Sequence, residues 1–309
     1  MVEAHERERK QRMEKQRIFI DDILSNENMN RAYKQVIKNK GAAGIDGMEC
    51  NDLLSHLKVN GHQLRESIRN QSYKPMPVKR VEIPKDNGSK RKLGIPTVTD
   101  RMIQQAAAQV LTPIYERKFH TNSYGFRPGK SAQQAVLKAA EYMNEGYNWV
   151  VDIDLEKFFD TVEHDKMISI LNKEIKDGKT LSLIRKFLAS GVMIGEQMEE
   201  TEIGTPQGGN ISPLLANILL NELDWELESR GLRFVRYADD CIILVRSEKA
   251  ATRVMKSVTK YIENVLRLKV NKDKSRIGRP AEIQYLGFAF YYQFQEKKYR
   301  MKVPKKSLD

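Results

Sequence analysis

Three aspartates in this sequence stand where a carboxylate is costly. Asp154 closes the stretch Trp149-Val-Val-Asp-Ile-Asp154, and Asp239-Asp240 follow Tyr237-Ala238 and precede the apolar run Cys241-Ile-Ile-Leu-Val245. The first stretch alternates as a strand does, with Val151 and Ile153 on one face and Asp152 and Asp154 on the other. The second reads as two strands, Arg233 to Tyr237 and Cys241 to Arg246, joined at Ala238-Asp239-Asp240. Adjacent negative charges beside buried strands are strongly unfavourable unless compensated, and a cation is the natural partner. Magnesium prefers oxygen ligands and is commonly held by one or two carboxylates plus substrate phosphates. Two such ions ~3.5 to 4 Å apart form the clamp used for in-line attack on a phosphate. Taken singly, each piece also reads as a solvated aspartate turn or strand end, and an Asp-x-Asp strand end equally suits a sugar-nucleotide transferase.

The elements that must position these residues interleave strands and helices. The first 70 residues read as mostly helical: a charged segment ending in Ile18, Phe19, Ile20, Ile23 and Leu24, then a helix over Asn30 to Lys40, then the loop Gly41-Ala-Ala-Gly-Ile-Asp-Gly47. Val78 to Pro84 and Ser89 to Ile95 flank Lys85-Asp86-Asn87-Gly88, a strong hairpin signal. Thr99 or Asp100 is expected to cap a helix to about Arg117, and Ser131 the next one. A helix from about His164, one opened by Ser212-Pro213, one over Glu248 to Leu266 and a strand region from Ile283 to about Val303 complete the pattern. The fold class is α+β with a mostly antiparallel sheet.

Composition bounds the reading. The chain has 309 residues, 40% apolar and 30% charged, which is globular and long enough for two linked sub-domains. No unbroken apolar run exceeds five residues, so no membrane span is expected, and the mixed-charge start Met-Val-Glu-Ala-His-Glu-Arg argues against a secretory signal. Cys50 and Cys241 are too few for a disulfide scaffold, and a cytoplasmic protein is the expectation. The net charge of +12 is uneven. Residues 73 to 92 hold seven Lys or Arg against two acids, and residues 267 to 309 hold twelve against four. Such patches attract polyanions by counterion release. Phe288, Phe290, Tyr291, Tyr292, Phe294 and Tyr299 lie inside the second patch, where they suit base or sugar contact as well as core packing.

A series of motifs, in order along the chain, resembles those of a reverse transcriptase, specifically the protein encoded by bacterial group II introns. Asp154-Leu-Glu-Lys-Phe-Phe159, Pro206-Gln-Gly-Gly209 with Ser212-Pro213, Tyr237-Ala-Asp-Asp240, Asn271-Lys-Asp-Lys274 and Gln284-Tyr-Leu-Gly-Phe288 resemble successive polymerase motifs. Arg91-Lys-Leu-Gly-Ile-Pro96 and Ser123-Tyr-Gly-Phe-Arg-Pro128 resemble finger motifs of the intron-encoded branch, as does Gly41-Ala-Ala-Gly-Ile-Asp46.

The resemblance implies a right-hand fold of fingers and palm, a palm sheet bearing a catalytic hairpin, and a helical N-terminal extension. It places the extension at 1–70, fingers at 71–100 and 163–210, and palm at 101–162 and 211–309, with thumb and endonuclease domains not expected within the chain. It implies Asp154, Asp239 and Asp240 as catalytic residues that hold two magnesium ions, for which manganese can substitute, with the Leu155 carbonyl as a further ligand. Lys85, Arg91, Phe159, Gln207 and Gly208 would meet the dNTP, and Lys274 would give a proton to pyrophosphate. Tyr285, Leu286, Gly287 and Phe288 would form the primer grip, and Lys34, Lys38 and Lys40 would face RNA. The implied activity is RNA-directed DNA synthesis on an RNA template and DNA primer, together with binding of intron RNA as a splicing maturase. The alternative is an RNA-binding splicing cofactor with weak or no polymerase activity; a retron or diversity-generating enzyme shares the palm chemistry but not the finger motifs. A homodimer is compatible with the sequence.

Overall fold

The computed structural model describes residues 19–84, 88, 90–195, 197–199, 203–204 and 208–304. In chain order the elements begin with α1 (Phe19–Ile23), α2 (Asn26–Asn39), α3 (Leu53–Arg69), β1 (Val78–Pro84), β2 (Lys90–Ile95), α4 (Val98–Glu116) and α5 (Ala132–Asn144). Next come β3 (Trp149–Ile153), α6 (Phe158–Thr161), α7 (His164–Leu171), α8 (Gly178–Leu188), β4 (Val192–Ile194), β5 (Gln197–Glu199) and α9 (Ser212–Ser229). The last are β6 (Arg233–Tyr237), β7 (Asp240–Val245), α10 (Glu248–Asn264), β8 (Arg276–Gly278), β9 (Gln284–Tyr285), β10 (Phe288–Gln293) and β11 (Lys298–Lys302). They cluster into two compact units, residues 1–115 with 162–214, and residues 116–161 with 215–309.

In the first unit, β1 and β2 form the hairpin expected around Asn87-Gly88, paired from Lys79 opposite Ile95 to Pro84 opposite Lys90. A short hairpin of β4 and β5 extends it, β4 running parallel to β1, so the sheet order is β2-β1-β4-β5. α2 begins four residues earlier than its periodicity suggests because Ser25 caps it, its hydroxyl accepting from the Asn28 amide. The buried Asn28 amide donates to the Ile23 and Ala106 carbonyls, at 3.0 and 2.9 Å, and fastens α1 and α2 to α4. α4 is capped neither by Thr99 nor by Asp100. Thr97 accepts from the Asp100 amide at 3.1 Å, while the buried Asp100 carboxylate takes hydrogen bonds from Tyr73 Oη, Thr97 Oγ1 and the Met76 amide. The aspartate is thus spent on anchoring the approach to the β1–β2 hairpin.

The second unit is built on an antiparallel sheet of order β6-β7-β3-β8. Val150, Val235, Ile242 and Leu244 from this sheet pack with Ala135, Val136, Ala139 and Met143 of α5. Ser131 and Gln134 close a reciprocal capping box at the start of α5, as the Ser131 signal predicts. α10, whose buried stripe is Ala251, Val254, Val258 and Ile262, lies against β3, β7 and β8. The region after Ile283 is three strands, ordered β11-β10-β9, with Phe290 and Tyr285 in the same core as α5.

Candidate active site

β3 and β7 pair from Trp149 opposite Val245 to Ile153 opposite Cys241. Continued by one residue, that register sets Asp154 opposite Asp240. The two carboxylates share a sheet face because opposed residues point the same way. Asp239 instead occupies the turn: Tyr237 pairs with Asp240, which leaves Ala238 and Asp239 as a two-residue loop. Ala238 has φ +55°, a conformation that two-residue hairpins of the primed types require and glycine usually supplies. For alanine it costs roughly 1 to 2 kcal/mol, so the surroundings must hold it there.

Asp152, Asp154, Asp240 and Asp273 line one open cleft of 420 Å³, together with Lys274, Arg276, Gln284, Tyr285, Leu286 and Ile153. Lys274 Nζ stands 3.8 Å from an Asp154 oxygen, and Arg276 Nε 3.4 Å from Asp152. Asp154 is held by its backbone. Its amide takes the Ser275 hydroxyl as acceptor at 3.1 Å, and its carbonyl accepts from the Asn271 amide at 2.9 Å. Leu155 and Val270 form an isolated antiparallel bridge flanked by those bonds and by Glu156 N to Lys269 O, so the Leu155 carbonyl points away from the Val270 strand. The Asn271-Lys-Asp-Lys274 motif therefore does two things here: it braces Asp154 and brings Lys274 beside it.

Desolvation raises the Asp240 carboxyl to about 6, and the negative charges of Asp239, Asp154 and Asp152 add to the effect against Lys274. Its surface stays open at the mouth of the cleft, where the neighbouring charges add to the effect of desolvation. Desolvation also raises Asp152, with Arg276 opposing. Among the described residues no three acidic, histidine or cysteine side chains already close on a single point. Four carboxylates share the cleft with two cations, Lys274 and Arg276. An all-oxygen donor set with excess negative charge fits a hard divalent cation.

The sign of the pH dependence follows. In the metal-free protein folded Asp240 holds its proton from the ordinary 3.8 up to about 6, so its contribution to stability is full below the first value and lost as pH rises through the second. A bound cation relieves that loss. Mg²⁺ is expected to raise the thermal midpoint more at pH 8 than at pH 5, as differential scanning fluorimetry would show; an equal rise at both would contradict the assignment.

Other expected site residues are placed as follows. Phe158 is buried and Phe159 half-buried, their rings meeting edge to face at 5.1 Å, so one of the pair packs the core and the other is partly open. Tyr285, Leu286, Gly287 and Phe288 form a two-residue hairpin with φ +51° at Leu286 and +79° at Gly287. Tyr285 is buried, its hydroxyl donating to the Val235 carbonyl at 3.2 Å, while Leu286 reaches the cleft. In the first unit Arg91 is exposed on β2. Gly208 lies against the same strand: at φ +122°, a Cβ there would stand 2.3 Å from the Gly94 carbonyl oxygen. Lys34, Lys38 and Lys40 are exposed along α2 and at its left-handed C-cap. Lys85 and Gln207 lie outside the described residues.

One group escaped sequence reasoning. Arg236, beside the turn, and Asp224 on α9 are both 0% exposed and form a two-bond pair of 2.7 and 2.5 Å. Arg236 also donates to Asn217 Oδ1 at 2.9 Å, to Ser123 Oγ at 2.8 Å and to the Ala238 carbonyl at 2.8 Å. The overlooked signal was Asn217 and Asp224, seven residues apart and polar among the leucines and isoleucines of this helix.

An antiparallel sheet that presents carboxylates from a hairpin turn and a neighbouring strand end, above a brace that carries a lysine, has the build of a polymerase palm; the fold is α+β of the fingers-and-palm type. The family model described as "Reverse transcriptase (RNA-dependent DNA polymerase)" matches residues 83–290, and the chain belongs to that family. It is 32% identical over 295 residues to Protein YkfC of Escherichia coli K12, spanning 82% of this chain and 77% of that protein. It is also 32% identical over 324 residues to the group II intron-encoded protein LtrA of Lactococcus lactis subsp. cremoris, covering 83% of this chain but 54% of LtrA. Among solved structures, a chain of a partial Cas6-RT-Cas1–Cas2 complex matches with TM-score 0.51 and 26% identity, over 82% of this chain and 44% of that one.

Proposed function

We propose that the chain is an RNA-directed DNA polymerase of the group II intron type, which adds dNTPs to a primer 3′-hydroxyl and also binds intron RNA as a splicing maturase. The observation that carries this reading is that Asp154 and Asp240 line one cleft that also receives Lys274 and Leu286. Asp154, Asp239 and Asp240, with the Leu155 carbonyl, would hold two Mg²⁺ ions, or Mn²⁺ in their place. Bound there, the ions would polarise the attacking oxygen and neutralise charge on the leaving pyrophosphate. Lys274 reaches the same space and can give a proton to that leaving group. Tyr285 to Phe288 fix the primer end, and Arg91 and Gly208, with Lys85 and Gln207, form the dNTP contacts. We assign the helical extension to 1–70, fingers to 71–100 and 163–210 and palm to 101–162 and 211–309, beside compact units of 1–115 with 162–214 and 116–161 with 215–309. The reading places the protein in the cytoplasm, where its RNA and nucleotides are. Extension of a DNA primer on an RNA template with dNTPs and Mg²⁺ tests it; a folded wild-type protein that binds template yet adds no nucleotide would overturn it.

Phe159 would sit beneath the incoming sugar and leave no room for a 2′-hydroxyl. Replacing a ring by a smaller apolar group is expected to relax such discrimination by about 10- to 200-fold. Phe159→Val should therefore raise incorporation of rNTP relative to dNTP, and an unchanged ratio would assign Phe159 to packing alone.

The maturase component rests on the exposed row Lys34, Lys38 and Lys40. Each lysine that meets a phosphate contributes close to one unit to the salt slope of binding. Changing all three to Gln should reduce the slope of log K against log salt for intron RNA by about 2 to 3. No change in slope would remove these residues from the RNA surface.

A further inference from the structure

The turn that carries Asp239 holds an alanine where the backbone favours glycine, and its neighbours explain how. Arg236 Nη1 donates to the carbonyl of Ala238 itself. On the outer side, Gly125 comes so close that a Cβ there would stand 2.2 Å from the Ala238 amide nitrogen. Gly125 is delivered by the segment 122–124, which pairs with β6: Arg236 N donates to the Asn122 carbonyl, and Tyr124 N to the Arg236 carbonyl, at 2.9 and 2.8 Å. Asn217 joins the two sides, donating to the Gly125 carbonyl at 2.8 Å while accepting from Arg236. All five guanidinium N–H groups are thus satisfied. One of them is spent on the strained residue of the turn.

We propose that Arg236 is a positioning residue, whose guanidinium fixes the Ala238-Asp239 backbone and thereby the placement of Asp239 and Asp240 relative to Asp154, so that the carboxylates take up divalent cations at low concentration. The buried pair with Asp224 orients the guanidinium fork, whose planar donors serve several acceptors at fixed angles, and neutralises its charge. Asn217 and Ser123 complete the set that keeps one donor aimed at the Ala238 carbonyl. Of the residues that resemble a finger motif, Ser123 bonds to Arg236 and Gly125 abuts the turn. The functional meaning of this inference rests on the polymerase reading above.

A purely structural role makes the opposite forecast from a positioning one when the ion pair is replaced as a unit. A buried pair exchanged for apolar residues of similar volume is often neutral or stabilising. Arg236→Met with Asp224→Leu should therefore fold, with a smaller loss of thermal midpoint than Asp224→Ala although Asn217 and Ser123 lose a donor, and it lacks the bond to Ala238. Mn²⁺ affinity, read by titration calorimetry on the intact chain without nucleic acid, is expected to fall about 10-fold or more. In primer extension the Mg²⁺ concentration for half-maximal rate should rise and kcat fall, with KM for dNTP within about twofold of wild type. Wild-type Mn²⁺ affinity in a folded double variant would overturn the proposal. If that variant does not fold, Asn217→Ala decides, because it leaves the ion pair intact and removes one guanidinium acceptor and the link to Gly125. It should weaken Mn²⁺ binding several-fold, and unchanged binding would overturn the proposal. Should wild type itself fail to extend a primer, the polymerase reading falls while the Mn²⁺ comparison still decides the role of Arg236.

Discussion

Asp239→Asn is expected to leave the protein folded and to lower primer extension by about 10³-fold or more, equivalent to roughly 4 kcal/mol of transition-state stabilisation. The amide keeps the shape of the carboxylate and removes its charge, so a metal held through that oxygen loses its strongest attraction. Asp154→Asn should behave likewise, since its backbone is fixed by Asn271 and Ser275 and the variant changes only the side chain. The thermal midpoint separates the two ways of failing. With EDTA present, removing one carboxylate from a crowded group relieves repulsion, so Asp239→Asn should melt no lower than wild type. The stabilisation that Mg²⁺ gives wild type should be largely absent. Full activity of either variant in a primer-extension assay would end the metal-carboxylate account.

The second large effect is on stability. Asp224→Ala leaves the Arg236 guanidinium in a fully buried site without its counter-ion, and breaking a buried pair from one side costs about 3 to 5 kcal/mol. For a domain of this size that is a fall in thermal midpoint of roughly 6 to 20 °C. The exposed pair Lys90–Glu82 on the β1–β2 hairpin provides the contrast. It lies in water on a strand edge, where ion pairs are screened, and Glu82→Gln should leave the midpoint unchanged within error. Equal effects of the two substitutions would mean that Arg236 can relax to solvent and that its five bonds are dispensable.

Local pattern was enough to place the candidate carboxylates on their strands. Alternation along Trp149 to Asp154 put Asp152 and Asp154 on the polar face, and Ser131 marked the start of α5. Register was not legible. The motif presents Asp239 and Asp240 as a pair, but the fold brings Asp240 into the cleft lined by Asp154 and leaves Asp239 on the turn. A hydrophobic pattern says which face of a strand is buried and not which strand lies beside it.

Arg236 shows the same limit from the other side. Read along the chain, an arginine between Val235 and Tyr237 looks solvent-facing. Only the convergence of α9, the 122–125 segment and β6 gives it five acceptors and a counter-ion in the interior. Likewise, the parallel pairing of β1 with β4 joins residues more than a hundred positions apart and leaves no local mark. Strand and helix periods, turn residues, the charge map and the order of motifs are legible in the residues alone, because each depends on neighbours within a few positions. Which carboxylates share a cleft, which lysine stands beside Asp154, and what holds an alanine in a glycine's conformation are set by folding, which brings together groups far apart in the chain.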